Sequence, residues 1–167
     1  MTPQELASAC ESGARIQDAM RALRFGDWRY PPADADPPAV HEALVDMRRR
    51  LDLAEPLLVE MTRLRDETRI LAGRLKAEAD DLFDAELARL AGTAFRREYE
   101  SGADRQAAAR LKASPARKEA RGAERGADLV TSCDRRARAL FYGMRDTRED
   151  LLTRLRSYLP WLSSLET

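Results

Sequence analysis

The chain has 167 residues, of which 44% are hydrophobic, 35% charged and 6% aromatic, with 29 basic and 29 acidic side chains. One domain, an extended one included, fits that length, and a formal charge of zero argues against a partner held by bulk charge alone. A single histidine and two cysteines are too few for a clustered zinc site.

The 28 alanines and 26 arginines outnumber every β-branched type. Ala, Leu, Glu and Arg lose little side-chain freedom on a helix, so an all-α fold is expected. Charge is polarised along the chain: residues 51–100 carry 12 acids and 8 bases, and residues 101–167 carry 9 acids and 14 bases. Cys10 and Cys133 sit among small or apolar residues at helical spacing, which favours buried free thiols over a disulfide. No basic patch followed by an apolar run opens the chain, and no stretch approaches 18 uninterrupted apolar residues. The expectation is a soluble cytoplasmic protein without a membrane partner.

In chain order, "TPQE" reads as a helix opening, with Thr2 as N-cap, Pro3 in the first helical position and Glu5 completing a capping box. Leu6, Cys10, Ile16, Met20 and Leu23 follow on one face, and Gly26 is placed to end this N-terminal helix, 1–26. The segment 27–39, with "WRYPPADADPP" at 28–38, reads as a proline-rich extended connector that Trp28 and Tyr30 could anchor. A helical domain is expected over 40–167. Its first long helix starts near Val40, with Leu44, Met47, Leu51, Ala54 and Leu58 stepping by three and four. Leu57, Met61, Leu64, Thr68, Leu71 and Leu75 continue the seam one residue out of phase, and a kink is expected at Pro56, which clashes one turn back at Asp52.

"YESGAD" (99–104) is the best candidate for a break, and Ser114–Pro115 reads as a second N-cap and proline signal. From there Ala116, Ala120, Ala123, Ala127, Val130, Cys133, Ala137, Leu140, Met144, Thr147, Leu151, Leu155 and Tyr158 keep the helical rhythm until Pro160. Two long seams joined by a short connection predict an antiparallel helical hairpin, a coiled coil pairing roughly 40–95 with 115–159. Leu53, Leu57, Phe83, Phe95, Phe141, Leu152, Trp161 and Leu162 are left without obvious cover, which points to a homo-oligomer.

The chemistry open to this chain is narrow. His41, just after the connector, would have to serve any nucleophilic relay, and no serine sits in a nucleophile-elbow pattern. No GxxxxGK[ST] or GxGxxG occurs, so no phosphate loop and no cofactor or small-molecule substrate is expected. In "EADDLFDAE" (78–86), Glu78 and Asp81, then Asp81 and Asp84, are spaced i,i+3, so each pair shares a helix face. Such a face could hold Mg²⁺ in the manner of all-α nucleotide pyrophosphohydrolases, but no second acidic pair matches it, and a solvated acidic face is the plainer reading. Neither a catalytic nor a metal site is assigned.

The basic run is the remaining candidate. Arg110, Lys112, Arg117, Lys118, Arg121 and Arg125, with Arg135, Arg136 and Arg138 further on, could neutralise phosphates without reading bases. No aromatic residue interleaves from 100 to 140, so no stacking platform is expected there. The same residues could instead pair with the 78–86 acidic face of this chain or of another copy.

Three stretches, "RRRLDLAEPLLVEMTRLRDETR", "RLKASPARKEAR" and "DTREDLLTRLRSYLPWLSSLE", together resemble small helical proteins of bacteriophages and prophages in high-GC bacteria. The likeness is in particular to the T4-type recombination mediators, over about the last 120 residues. It implies a helical, oligomeric, non-enzymatic accessory protein that assists a recombinase on single-stranded DNA through basic residues. The competing expectation is a structural coiled-coil component for phage assembly or scaffolding.

Overall fold

The computed structural model describes residues 1–92 and 102–164, and among them every regular element is an α-helix. They are α1, Pro3–Phe25, α2, Pro37–Gly92, and α3, Gly102–Ser164. No helix of the described residues is long and apolar enough to cross a membrane. Of the expected break at 99–104, residues 102–104 form the first turn of α3, and residues 93–101, Phe95 with them, lie outside the described residues. So do the side chains of Trp161 and Leu162.

The caps explain where α1 begins and ends and where α2 begins. The Glu5 carboxylate accepts from the Thr2 backbone N–H at 2.7 Å, and the Glu5 N–H donates to the Thr2 hydroxyl at 3.4 Å, the reciprocal pair of a capping box. At the other end of α1 the Gly26 N–H donates to the Ala22 carbonyl at 2.8 Å. Helix α2 begins earlier than Val40. Asp36 caps it, accepting from the Ala39 N–H at 3.0 Å, and Pro37 and Pro38 occupy first-turn positions where a missing N–H costs nothing.

Two prolines behave differently from the sequence expectation. Helix α3 starts at Gly102 and runs through Pro115, so Ser114 is not its N-cap. Ala109 and Ala113, both fully buried, extend the alanine seam two turns upstream of Pro115, which is itself exposed. That packing outweighs the one hydrogen bond that proline removes. Helix α3 also continues past Pro160 to Ser164. Helix α2, where a kink is expected at Pro56, is continuous through that residue.

The chain divides into two compact units, 1–11 with 64–131 and 12–63 with 132–167. In the first, Leu71, Ala72, Leu75 and Ala79 of α2 pack against Ala120, Ala123 and Ala127 of α3, with Leu6 at the edge. Alanine on one side lets the helix backbones approach closely, and leucine from the other fills the space. An ideal Cβ on Gly126 would lie 2.9 Å from both methyl carbons of Leu6, so α1 rests directly on that glycine. The Cys10 thiol, half-buried rather than fully buried, reaches the Gly126 carbonyl at 3.7 Å, and Cys133 is also half-buried and free.

The second unit is filled by methionine. Met20, Met47, Met61 and Met144 are all fully buried, with Val40, Leu44, Leu51, Ala137 and Leu151. Unbranched thioether chains fill irregular gaps where three helices meet. Two arginines fasten the unit. Arg50, paired with Asp46 at 2.7 Å, donates to the Leu23 carbonyl at 2.9 Å and so satisfies the end of α1. Arg138 is held by Asp134 and donates to the Thr62 hydroxyl at 2.8 Å.

The connector 26–36 is anchored from α3 by Arg154 and Tyr158. Trp28 and Tyr30 meet each other edge-on at 6.0 Å. The Arg154 guanidinium donates to the carbonyls of Pro31 (3.0 Å), Pro32, Ala33 (2.9 Å) and Ala35 (3.3 Å), and the Tyr158 hydroxyl donates to Ala35 at 2.9 Å. Pro31 and Pro32 bring carbonyls but no N–H, so the segment is short of donors even though the Ala35 N–H reaches the Pro32 carbonyl at 3.1 Å. Its carbonyls therefore need an outside donor, and a five-hydrogen guanidinium fits several at once.

Of the seam residues expected from periodicity, Leu44, Leu51, Met61, Leu64, Leu71, Leu75, Val130, Ala137, Met144 and Leu151 are buried, while Leu140 and Leu155 are half-buried.

Candidate nucleic-acid interface

Because α3 begins at Gly102, residues 110 to 125 lie on uninterrupted helix and their angular positions follow from spacing alone. Steps of three and four from Arg110 through Ser114, Arg117, Lys118 and Arg121 to Arg125 keep these side chains on one face. Within the first unit they line a single open groove of about 590 Å³. Arg110, Lys118, Arg121 and Arg125 are exposed and Arg117 is half-buried. Among the described residues no carboxylate pairs with any of the five cations.

Lys112 does not join them. Two residues from Arg110 is about 200° around the helix, and its charge is felt instead at Glu86 of α2. The hydrogen bond from Arg89, reinforced by the charges of Arg89 and Lys112, holds the Glu86 carboxyl below the usual carboxylate range.

The acidic run is used locally. Glu78 pairs with Arg74 at 3.5 Å and Glu86 with Arg89 at 2.6 Å, both within α2. What α2 offers the basic face is an aromatic ring, since the Arg117 guanidinium lies over Phe83, 4.6 Å from the ring centre. That contact orients Arg117 without neutralising it, because the attraction comes from the ring quadrupole. The expected alternative, an ion-paired basic face, is therefore not formed with 78–86. Asp81 and Asp84 are exposed, and no group of three or more metal-binding side chains is brought together among the described residues. His41 is exposed in the first turns of α2.

Two members of this site were not identified from the sequence. Ser114 carries the local signature of a cap, and its spacing from Arg110 and Lys118 puts it on their face only because the helix runs on through Pro115; its hydroxyl can donate to an anion. Phe83 appeared only as an apolar residue without cover. The groove can thus neutralise and hydrogen-bond several anionic oxygens along a rise of 15 residues, about 22 Å. No family model matches the chain, and neither a curated protein nor a solved structure matches it.

Proposed function

We propose that the chain is a non-enzymatic accessory protein that binds the backbone of single-stranded nucleic acid through the α3 face bearing Arg110, Ser114, Arg117, Lys118, Arg121 and Arg125. The observation that carries this reading is five cations on one open face with no carboxylate partner. An array meant for the chain's own acidic residues would be paired. The mediator-like role, with a recombinase as protein partner, rests on the sequence resemblance alone.

Fluorescence anisotropy with labelled single-stranded DNA at several salt concentrations tests the reading. Each phosphate contact contributes about −0.7 to the log–log salt slope for single strands, so five contacts give a slope of about −3.5. Removing three through Arg117→Ala, Lys118→Ala and Arg121→Ala should leave a slope of about −1.4 and much weaker binding. A parent that does not bind, or a triple variant that binds equally well, removes the site.

A second reading, a structural coiled-coil hairpin that self-associates, has its own support. In the second unit, Arg138 of α3 meets Thr62 of α2, whereas Arg154 and Tyr158 meet the connector just before α2, the order of an antiparallel pair. Val45, Leu53 and Val59 in that unit, and Ile70, Leu111 and Leu129 in the other, are more than half exposed. Surplus apolar surface of this kind favours a homo-oligomer. Light scattering at micromolar concentration that returns a monomer would defeat it.

A further inference from the structure

The second unit holds another cationic groove, of about 570 Å³, built where the end of α1 lies beside the middle of α3. Its lining includes Gln17, Arg21, Arg24 and Phe25 of α1 and Arg136 and Gly143 of α3. Among the described residues none of the three arginines has a carboxylate partner. Phe25 is 65% exposed, an unusual position for an aromatic ring, and the Arg24 guanidinium lies 5.4 Å from its ring centre. Gly143 makes room for this arrangement: an ideal Cβ there would lie 3.3 Å from the Arg24 Nε.

We infer that this groove takes one nucleotide unit of a single strand, with the base stacked on Phe25 and the phosphate held by Arg21, Arg24 and Arg136. Three features of the groove match three features of such a ligand. The exposed ring offers a stacking face, the Gln17 amide can both donate to and accept from a base edge, and the unpaired guanidiniums match phosphate oxygens. An acidic peptide would use the charge and leave the ring and the amide without a role. The inference rests on the reading that the chain binds single strands, but not on which face of α3 does so. It also supplies the stacking residue that the 100–140 stretch lacks, from a helix distant in sequence.

The test compares a short labelled oligothymidylate with an abasic deoxyribose-phosphate strand of equal length. Both are measured on the parent, Phe25→Ala, Phe25→Leu, Phe25→Tyr, an Arg21→Ala/Arg24→Ala/Arg136→Ala variant and the Arg117/Lys118/Arg121 triple variant. The parent should prefer the thymidylate by about tenfold, the order of one base–aromatic stack. Phe25→Ala and Phe25→Leu should lose that preference while keeping their affinity for the abasic strand, and Phe25→Tyr should retain it. The Arg21/Arg24/Arg136 variant should weaken binding of both strands. Phe25 is largely in solvent, so an unchanged melting temperature verifies that these variants fold. A parent with no preference, or a Phe25→Ala variant that keeps it, overturns the proposal. If the Arg117/Lys118/Arg121 variant binds like the parent while Phe25→Ala loses the preference, the 110–125 site fails and this one stands; the opposite pattern overturns this one alone.

Discussion

Gly122 and Gly126 are one helical turn apart on α3, and replacing each by alanine should give clearly different effects on stability. Nothing lies within 4 Å of the position a Cβ on Gly122 would take. Gly122→Ala should therefore gain the intrinsic helix preference of alanine over glycine, about 1 kcal/mol, raising Tm by about 2–4 °C for a chain of this size. At Gly126 the same backbone gain meets a steric cost. The added carbon would stand 2.9 Å from Leu6 Cδ1 and Cδ2 and 3.0 Å from its Cγ. Overpacking of this kind costs about 1–3 kcal/mol. Leu6 is only half-buried and can turn toward solvent, so the lower end of that cost applies; it offsets the backbone gain and leaves Gly126→Ala near neutral. Thermal and urea unfolding of both variants, and of Leu6→Ala with and without Gly126→Ala, form a double-mutant cycle. In the Leu6→Ala background the Gly126 substitution should recover the gain seen at Gly122. Equal stabilisation by the two glycine replacements in the parent would refute the contact between α1 and α3 at this point.

Gly26→Ala should destabilise by about 1–3 kcal/mol, measured by urea midpoint, because its Cβ would lie 2.6 Å from the Ala22 carbonyl oxygen, a backbone atom that cannot swing aside. Met61→Ala, at a fully buried position, should cost about 2–5 kcal/mol by the same assay. Asp36→Ala should remove the α2 N-cap and lower stability by about 1 kcal/mol, with Asp36→Ser retaining most of it. Arg154→Lys should loosen the connector, since an ammonium cannot reach four carbonyls from one planar group, and faster proteolysis within residues 27–36 would reveal it.

The pattern of apolar residues was enough to place the three helices and most of the buried seam, because burial on a helix depends on a period that the sequence carries directly. Thr2 with Glu5 also announced the start of α1, since a capping box is completed within four residues. Interactions made across the fold were not legible in this way. Pro115 has the local signature of a helix start, but Ala109 and Ala113 are buried ahead of it, and only that continuity puts Arg110 and Ser114 on the face of Arg121. Arg154 is one arginine among 26, and nothing local marks it as the donor for a connector more than 110 residues away. The same holds for the acidic and basic runs. Their composition allowed them to pair, and it was the register of α3 against α2 that put Phe83, not a carboxylate, beneath Arg117. Local periodicity and capping are decided by neighbours in sequence, whereas the choice of partner for a long charged side chain is decided by which helix face packing leaves within its reach.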